Sequence, residues 1–343
     1  MLVRDEADTL ALTLPTIKPH IHHWTIVDTG SLDNTPAVIQ HLLDGIPGTL
    51  HHRPWVGFAH NRTELLELAA DTCDYHLCLD ADLQVDMPVP IPTLTRDAYN
   101  LTFAGDFQMS LPLLLKDGRR WEWKGVTHSY LDLANDASIG TLDGLTLTEI
   151  RSNSPRDDKI ETDARLLEAD ISPRTIHYLA QSYRDLGHTR EAADLYRFRV
   201  RLSAENPEEV FWSCYQEGIA RCECDGLAAG TAVLLEAHQR RPWRAEPLWK
   251  LAREYRLAGQ THVALLFAEK AAALPMPDEH GFVLRWVYEW GAPMEHALVL
   301  RALGRHQEAL DLFRRLDALG LDGEPGQFFR DQIHDLAPVE VPA

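Results

Sequence analysis

The sequence predicts an α/β unit followed by an all-helical repeat unit. Residues 1–150 alternate short β-rich runs with helical segments, which indicates layered α/β structure. From about residue 172 onward the chain becomes helix after helix, and 343 residues are too many for one compact core. We therefore predict an α/β domain over residues 1–150, a linker over 151–171, a repeat domain over 172–337 and a frayed tail over 338–343.

The elements of the first half follow from apolar runs of different period. The run at residues 24–27 ends in Asp28, where a strand should give way to a loop. Residues 35–43 carry apolar residues at helical spacing. A second unit repeats this plan, with an amphipathic helix over residues 58–70 and a short buried strand over 75–79.

The second half shows internal self-similarity that is anchored on turn glycines. Small residues lie five positions after, or seven before, three of these glycines, and they allow paired helices to approach closely. This pattern is typical of helical-hairpin arrays of the tetratricopeptide (TPR) type. The glycines are 39, 33 and 45 residues apart, so the repeats are degenerate. The glycines are Gly187, Gly226, Gly259 and Gly304, and the small residues are Ala180, Ala192, Ala252, Ala264, Ala297 and Ala309.

Composition and charge narrow the function classes. The formal net charge of −19 disfavours nonspecific binding of nucleic acid, which depends on Lys and Arg at the phosphates. Five scattered cysteines are an odd number and indicate a reduced, cytoplasmic protein. The sequence shows no signal peptide and no apolar run long enough for a membrane span. It leaves a homo-oligomer open.

The triplet Asp80-Ala81-Asp82 carries the strongest chemical signal. Two carboxylates one residue apart, at the end of a buried strand, suit one hard divalent cation that keeps open positions for phosphate oxygens. This DXD pattern predicts a site for a nucleotide diphosphate. A solvated Asp-rich turn is the alternative.

Together with this triplet, three further segments resemble the family 2 glycosyltransferases. The segments are residues 1–6, 26–35 and 55–62, and their order and spacing agree with that family. The resemblance is good over residues 1–90 and loose over 91–150. It implies a GT-A fold, which is the Rossmann-like fold of nucleotide-diphospho-sugar transferases, and an inverting transfer of a sugar.

The resemblance assigns roles at the nucleotide. Asp28 would accept a hydrogen bond from the imide of the base, and Arg62 would offer a charged fork to the diphosphate or base. Arg4 and Glu6 would line the nucleoside pocket. The alternatives are a helix-capping loop for Asp28, a surface helix residue for Arg62 and an exposed loop for the other two.

The resemblance also assigns a metal shell of Mn²⁺ or Mg²⁺. Asp82 would be the direct ligand, and Asp80 would reach the ribose or a metal-bound water. The stretch at residues 123–128 resembles the place where such enzymes put a histidine, so His128 is the third candidate ligand. An imidazole beside carboxylates favours Mn²⁺ slightly. The donor substrate would be a UDP-sugar rather than a GDP-sugar. The alternative for His128 is a structural role.

Two departures from the family pattern weaken the assignment of a base. The usual Glu-Asp pair is missing, because Asp106, Asp117 and Glu122 are isolated, and Glu122 is only a weak candidate for the base. Ser129 stands where relatives often carry Glu. In addition, the first strand, at residues 1–3, is short for a GT-A domain.

Two groups of aromatic residues invite competing interpretations. Trp121 and Trp123 would share one face of a strand, where they either floor the sugar site or pack in the core. Five histidines resemble a metal cluster, but their loop setting favours exposed polar segments; they are His20, His22, His23, His51 and His52.

The leading hypothesis is a metal-dependent glycosyltransferase whose repeats hold part of the acceptor. A protein or peptide acceptor is preferred because repeat domains usually recognise polypeptide, and a lipid-linked, polysaccharide or nucleic-acid acceptor stays open. This two-domain plan resembles bacterial transferases that modify peptides or proteins, including the bacteriocin S-glycosyltransferases. One alternative is a catalytically inactive TPR-type adaptor. Another is a nucleotidyltransferase with a related metal site, which is disfavoured because residues 4–8 form no glycine-rich basic loop.

Overall fold

A computed structural model describes residues 1–87, 90–104, 110–133, 136–150, 156–168, 171–279 and 281–337. The chain divides into two compact units, Met1–Tyr178 and Leu179–Ala343. The first unit mixes strands and helices, whereas the second is helical in the part that the structure describes. None of the described helices combines the length and the apolar character needed to cross a bilayer.

The first unit begins with three parallel strands that alternate with helices. Its sheet has the order β1-β2-β3. Ile26 and Val27 of the middle strand are fully buried, as expected where helices cover a parallel sheet. The predicted strand and both predicted helices are confirmed to within a residue. The elements are β1 (Leu2–Val3), α1 (Ala7–Ile17), a 3₁₀ turn (Lys18–His20), β2 (Trp24–Asp28), α2 (Thr35–Leu42), β3 (Gly48–His52) and α3 (Phe58–Ala69).

The next part of the first unit is a mixed five-stranded sheet with a two-stranded ribbon. The sheet has the order β4-β7-β6-β10-β5, in which β6 and β10 are parallel and the other pairs antiparallel. The ribbon pairs β8 with β9. The strands are β4 (Tyr75–Leu77), β5 (Leu83–Asp86), β6 (Ala98–Phe103), β7 (Ser110–Lys116), β8 (Glu122–Lys124), β9 (Tyr130–Asp132) and β10 (Ile139–Glu149).

The strand predicted over residues 75–79 is shorter in the structure. It ends at Leu77. Cys78 makes one more backbone hydrogen bond, to the carbonyl of Leu113 at 2.7 Å, before the chain turns at Ala81. The hydroxyl of Thr13 on α1 donates to the carbonyl of Ala81 at 2.8 Å, and Ala81 itself is buried. The DXD triplet is therefore anchored at its middle residue, with its two acids on either side.

The segment predicted as a linker contains a helix. Residues 151–155 lie outside the described part of the chain, but α4 (Arg156–Leu167) follows them directly. Ala164 and Leu167 are buried, so this polar sequence gains an apolar anchor at its C-terminal end. The predicted tail, 338–343, lies outside the described residues.

The second unit is a TPR-like helical repeat. Each helix from α6 onward contacts the next, and the first helices of successive hairpins also touch, α7 with α9 and α9 with α11. This is the contact pattern of stacked hairpins. The helices are α5 (Pro173–Asp185), within which the two units divide, α6 (Thr189–Leu202), α7 (Pro207–Cys224), α8 (Leu227–Arg240), α9 (Glu246–Leu257), α10 (Thr261–Ala272), a π-helical turn (Val287–Gly291), α11 (Ala292–Ala302), α12 (His306–Asp317) and α13 (Gly323–Leu336).

The predicted repeat anchors are confirmed. All four glycines lie between the two helices of a hairpin and have positive φ, at 82°, 91°, 72° and 74° in chain order. That region of backbone space favours glycine. All six alanines of the pattern are fully buried at 0% exposure. The small residues thus lie where helices of a pair approach most closely.

Candidate functional site

The loops that follow β1 and β2 are joined by hydrogen bonds. The backbone N–H of Asp5 donates to the hydroxyl of Ser31 at 2.9 Å. The Asp5 carboxylate accepts from the N–H of Leu32 at 2.6 Å and from that of Asp33 at 3.3 Å. The Ala7 N–H in turn donates to the Asp33 carboxylate at 3.1 Å. Two of the segments that resemble the glycosyltransferases therefore form one connected edge of the parallel sheet.

Asp28 holds this edge together from inside. Its side chain is buried, and one carboxylate oxygen accepts from the N–H of Gly30 at 3.3 Å and from the N–H and hydroxyl of Ser31 at 3.0 and 2.6 Å. The other oxygen lies 3.1 Å from Nδ1 of His52. Burial raises the pKa of Asp28, but these hydrogen bonds outweigh it and hold the pKa below its ordinary value. Asp28 thus builds the turn, and His52 occupies one hydrogen-bonding position of its other oxygen.

Arg62 and Asp80, which come from different predicted segments, form an ion pair. The same guanidinium donates to the Ser129 hydroxyl at 2.5 Å. Its central carbon lies 5.0 Å from the ring centroid of Trp123 and 5.7 Å from that of Phe58, within cation–π range. The Arg62 side chain is 17% exposed and that of Asp80 51%. The structure therefore fixes a positively charged fork beside the first acid of the triplet.

The structure does not gather the three candidate metal ligands into a closed site. Across the described residues there is no group of three or more His, Cys, Asp or Glu side chains that could hold a metal ion. Asp82 lies half-buried in the turn before β5, and its carbonyl accepts from the Ile150 N–H at 2.8 Å. The donor set of Asp80 and Asp82 fits a cation that takes its remaining oxygens from a ligand, as Mg²⁺ does with phosphates.

His128 lies in an aromatic cluster of the first unit. Its ring stacks on that of Tyr178, with centroids 4.0 Å apart and planes 6° apart. Arg174 lies over the rings of Tyr130 and Tyr178, at 4.6 and 4.9 Å from their centroids, and donates to the His128 carbonyl at 3.4 Å. The His128 backbone has a φ of 46°, which is uncommon for a residue with a side chain. These contacts hold the exposed His128 ring against Tyr178, and its role as a metal ligand stays a prediction.

The remaining candidates lie around the edge of the sheet. Arg4 is exposed, with its guanidinium 3.9 Å from the Asp5 carboxylate. Glu6 is half-buried just before α1, and its N–H donates to the Thr35 hydroxyl at 2.8 Å. Glu122 is exposed on β8, in register with Asp132 of β9. Asp106 lies outside the described residues.

Sequence reasoning missed His52 and understated Trp123. His52 is the last residue of β3, in direct parallel register with Asp28 of β2. The sequence analysis placed His51 and His52 in an exposed loop, whereas the structure places both on β3, which was not predicted. Trp121 and Trp123 are both buried, and Trp123 also forms the surface on which Arg62 rests.

Comparisons with known proteins bear on the repeats. No model of a known protein family matches the chain. A TPR repeat-containing protein of Synechococcus elongatus is 37% identical over 83 residues, which is 24% of this chain and 19% of that protein. The chain therefore spans about a fifth of the length of this curated relative.

Two solved structures also match about half of the chain, at low sequence identity. MamA has 20% sequence identity and a TM-score of 0.36, covering 54% of this chain and 88% of its own. PilW, a type IV pilus biogenesis factor, has 17% identity and a TM-score of 0.40, covering 50% of this chain and 74% of its own.

Proposed function

We propose that the second unit binds another polypeptide and that the first unit is a metal-dependent glycosyltransferase of GT-A fold acting on that polypeptide. The curated relative described above is a TPR repeat-containing protein, and this similarity supports the first half of the proposal. The second half rests on one observation, the ion pair of Arg62 on α3 with Asp80, which follows β4. The alternative is a TPR-type adaptor without catalysis, and the similarity to a TPR repeat-containing protein favours this alternative over the glycosyltransferase.

Exposed apolar side chains support a polypeptide partner. The second helices of three successive hairpins each expose a large apolar residue: Phe198 on α6, Leu235 on α8 and Leu266 on α10. Single exposed apolar residues are ordinary, but their recurrence on equivalent helices of a repeat is typical of a surface that a partner covers. Repeat proteins present extended surfaces of this kind to other chains.

In the first unit, the guanidinium of Arg62 would already be positioned to bind a diphosphate. Arg62 is held by two rings and a hydroxyl before any ligand arrives, so little side-chain entropy is lost when it binds a diphosphate. Asp80 and Asp82 would hold a divalent cation, Mn²⁺ or Mg²⁺. Such a cation supplies Lewis-acid stabilisation of charge on a departing nucleotide diphosphate. Asp28 would position the loop that borders the nucleotide.

A double-label turnover experiment tests both halves. The full-length protein is incubated with Mn²⁺, a set of UDP- and GDP-sugars and an extract of its native host, with one label on the sugar and another on the nucleotide. We expect the sugar label to appear on a polypeptide and, more slowly, as free sugar. Nucleotide label on the polypeptide would instead indicate a nucleotidyltransferase. If no donor were turned over, the result would support the adaptor without catalysis.

Matched variants separate the two units. Leu266→Asp should abolish labelling of the polypeptide while hydrolysis of the donor continues. Leu257→Asp is the control, because Leu257 is similarly exposed but ends a first helix, α9. Equal effects of the two substitutions would contradict binding through the second helices.

A further inference from the structure

A second group of reactive side chains lies at the opposite end of β4 from the DXD triplet. The Sγ atom of Cys73 is 3.3 Å from Nδ1 of His76, and Nε2 of His76 is 2.7 Å from a carboxylate oxygen of Asp117. This chain of thiol, imidazole and carboxylate has the arrangement of a nucleophile, its base and the group that orients the base. Neither the proposed transfer of sugar nor the repeats make use of it.

The sheet register makes this arrangement rigid. β4 pairs antiparallel with β7, and Tyr75 lies opposite Lys116, so Asp117 follows directly beside the start of β4. The Asp117 N–H donates to the Asp74 carbonyl at 2.9 Å, and the Asp117 carboxylate accepts from the Asp71 N–H at 3.2 Å. The His76 side chain is only 9% exposed. The carboxylate is therefore fixed by backbone, and it fixes the imidazole.

The hydrogen bonds favour the thiolate of Cys73. Burial alone would raise the pKa of the Cys73 thiol, but the hydrogen bond and the charge of His76 hold it below the ordinary value. The pKa of His76 is raised, mainly by its bond to Cys73 and despite burial, with Asp117 also contributing. The neutral thiol has a competing acceptor in the carbonyl of Tyr75 at 3.1 Å.

The thiol pKa values of the other four cysteines are raised rather than lowered. Burial raises the pKa of Cys78 to about 11, that of Cys214 to about 12 and that of Cys222 to about 11. The pKa of Cys224 is raised by burial and by Asp225. Since the thiolate is the reactive form, the chain contains its own set of comparison thiols.

We propose that Cys73 is a covalent modification site that forms a mixed disulfide with small disulfides of neutral or positive charge. Cys73 is half-buried in an exposed turn, so a small reagent can reach it. Its neighbours along the chain and across β4 and β7 carry three carboxylates, of Asp71, Asp74 and Asp117, and two cations, the ammonium of Lys116 and the imidazolium of His76. This net negative charge disfavours an anionic disulfide and attracts a cationic one.

The reaction balances without a further oxidant. His76 takes the thiol proton, and the Cys73 thiolate attacks one sulfur of the incoming disulfide. The reagent's S–S bond breaks as the new S–S bond to Cys73 forms. The other half leaves as a thiolate, which takes the proton from His76 and departs as a thiol. Cys73 is oxidised and the leaving sulfur is reduced.

The test is the rate of mixed-disulfide formation at each cysteine of the full-length protein at pH 7. Cystamine, a dication, and 5,5′-dithiobis(2-nitrobenzoate), a dianion, are the two probes, and peptide mass spectrometry assigns the sites. We expect Cys73 to react first of the five. Because the aromatic thiolate of the dianion is the better leaving group at any thiol, each rate is divided by the rate of the same probe with free 2-mercaptoethanol, and this ratio at Cys73 should be higher for cystamine. Cys224, which is also partly exposed, is the comparison thiol. If Cys73 of the wild-type protein reacted no faster than Cys224, the proposal would be overturned.

Variants test the part played by the imidazole. His76→Gln should slow the reaction of Cys73 by about threefold or more at pH 7, and the difference should vanish near pH 10, where an ordinary thiol with pKa about 8.5 is ionised anyway. His262→Gln, an exposed histidine of α10, is the matched control and should leave the rate unchanged. Equal rates for His76→Gln and wild type at pH 7 would show that the three residues only tie the turn to β7.

Discussion

Replacing Arg244 by Met should strongly destabilise the repeat unit. Its guanidinium is fully buried and donates to Glu246 at 2.8 Å, to Glu208 at 3.0 Å and to the Phe282 carbonyl at 2.7 Å. Glu246 is likewise 0% exposed. Removing one partner of a buried ion pair leaves the other charge uncompensated, which typically costs about 3–5 kcal/mol.

The remaining contacts place the expected loss at the lower end of that range. In the variant, Glu246 keeps the hydroxyl of Tyr288 at 2.7 Å and the N–H of Leu284 at 3.2 Å as donors. We therefore expect a loss of about 3 kcal/mol in the free energy of unfolding. The double variant Arg244→Met with Glu246→Gln should recover part of this loss, because it also removes the buried charge.

Urea unfolding followed by circular dichroism measures these differences. Arg305→Met is the control, because Arg305 forms a similar pair with Glu308 at 2.6 Å while 40% exposed, and exposed pairs contribute about 0–1 kcal/mol. If Arg244→Met and Arg305→Met lost the same small amount of stability, the reasoning about the buried network would be refuted.

Two further predictions concern backbone and pH. Gly259→Ala should cost about 1 kcal/mol in urea unfolding, because φ is 72° while no atom lies within 4 Å of the added methyl group, so the cost is conformational; no loss would contradict the turn geometry. Asp28→Asn should flatten the pH dependence of stability. The depressed pKa of Asp28 means that its stabilisation is present above the unfolded-state pKa of about 4 and is lost as the pH falls through the lower folded-state value. Thermal unfolding between pH 2 and 7 checks this, and parallel curves for both proteins would contradict it.

The repeat architecture could be predicted because its determinants are local. Turn glycines such as Gly187 and small residues such as Ala192 stand at fixed offsets, and helix geometry converts those offsets into close packing. The alternation of β2, α2 and α3 was predicted for the same reason, since period and length are visible within ten to fifteen residues.

The side-chain environment of the candidate site could be predicted only in part. The sequence marked Arg62 and Asp80 separately, but their pairing depends on a ring of Trp123 and a hydroxyl of Ser129 that lie far away along the chain. The contact of His52 with Asp28 depends on strand register, which no single segment contains. Tertiary contacts of this kind have no local signal.

The predicted linker is a second case in which local sequence does not report tertiary contacts. The polar and turn-forming residues at 153–158 favoured a connecting segment, yet residues 156–167 form α4. Its apolar positions, Ala164 and Leu167, gain their stabilisation from burial, and local composition does not report burial.

Isothermal titration of UDP into the full-length protein, with Mn²⁺ and with EDTA, tests the proposed nucleotide site most directly. Wild type should bind UDP only with Mn²⁺, Asp82→Asn should bind at least about tenfold more weakly, and Asp86→Asn, an exposed neighbour on β5, should bind as wild type does. Two results would contradict a metal-dependent nucleotide site at the DXD triplet. One is that neither UDP nor GDP binds the wild-type protein in Mn²⁺. The other is that the nucleotide binds equally well in EDTA and to Asp82→Asn.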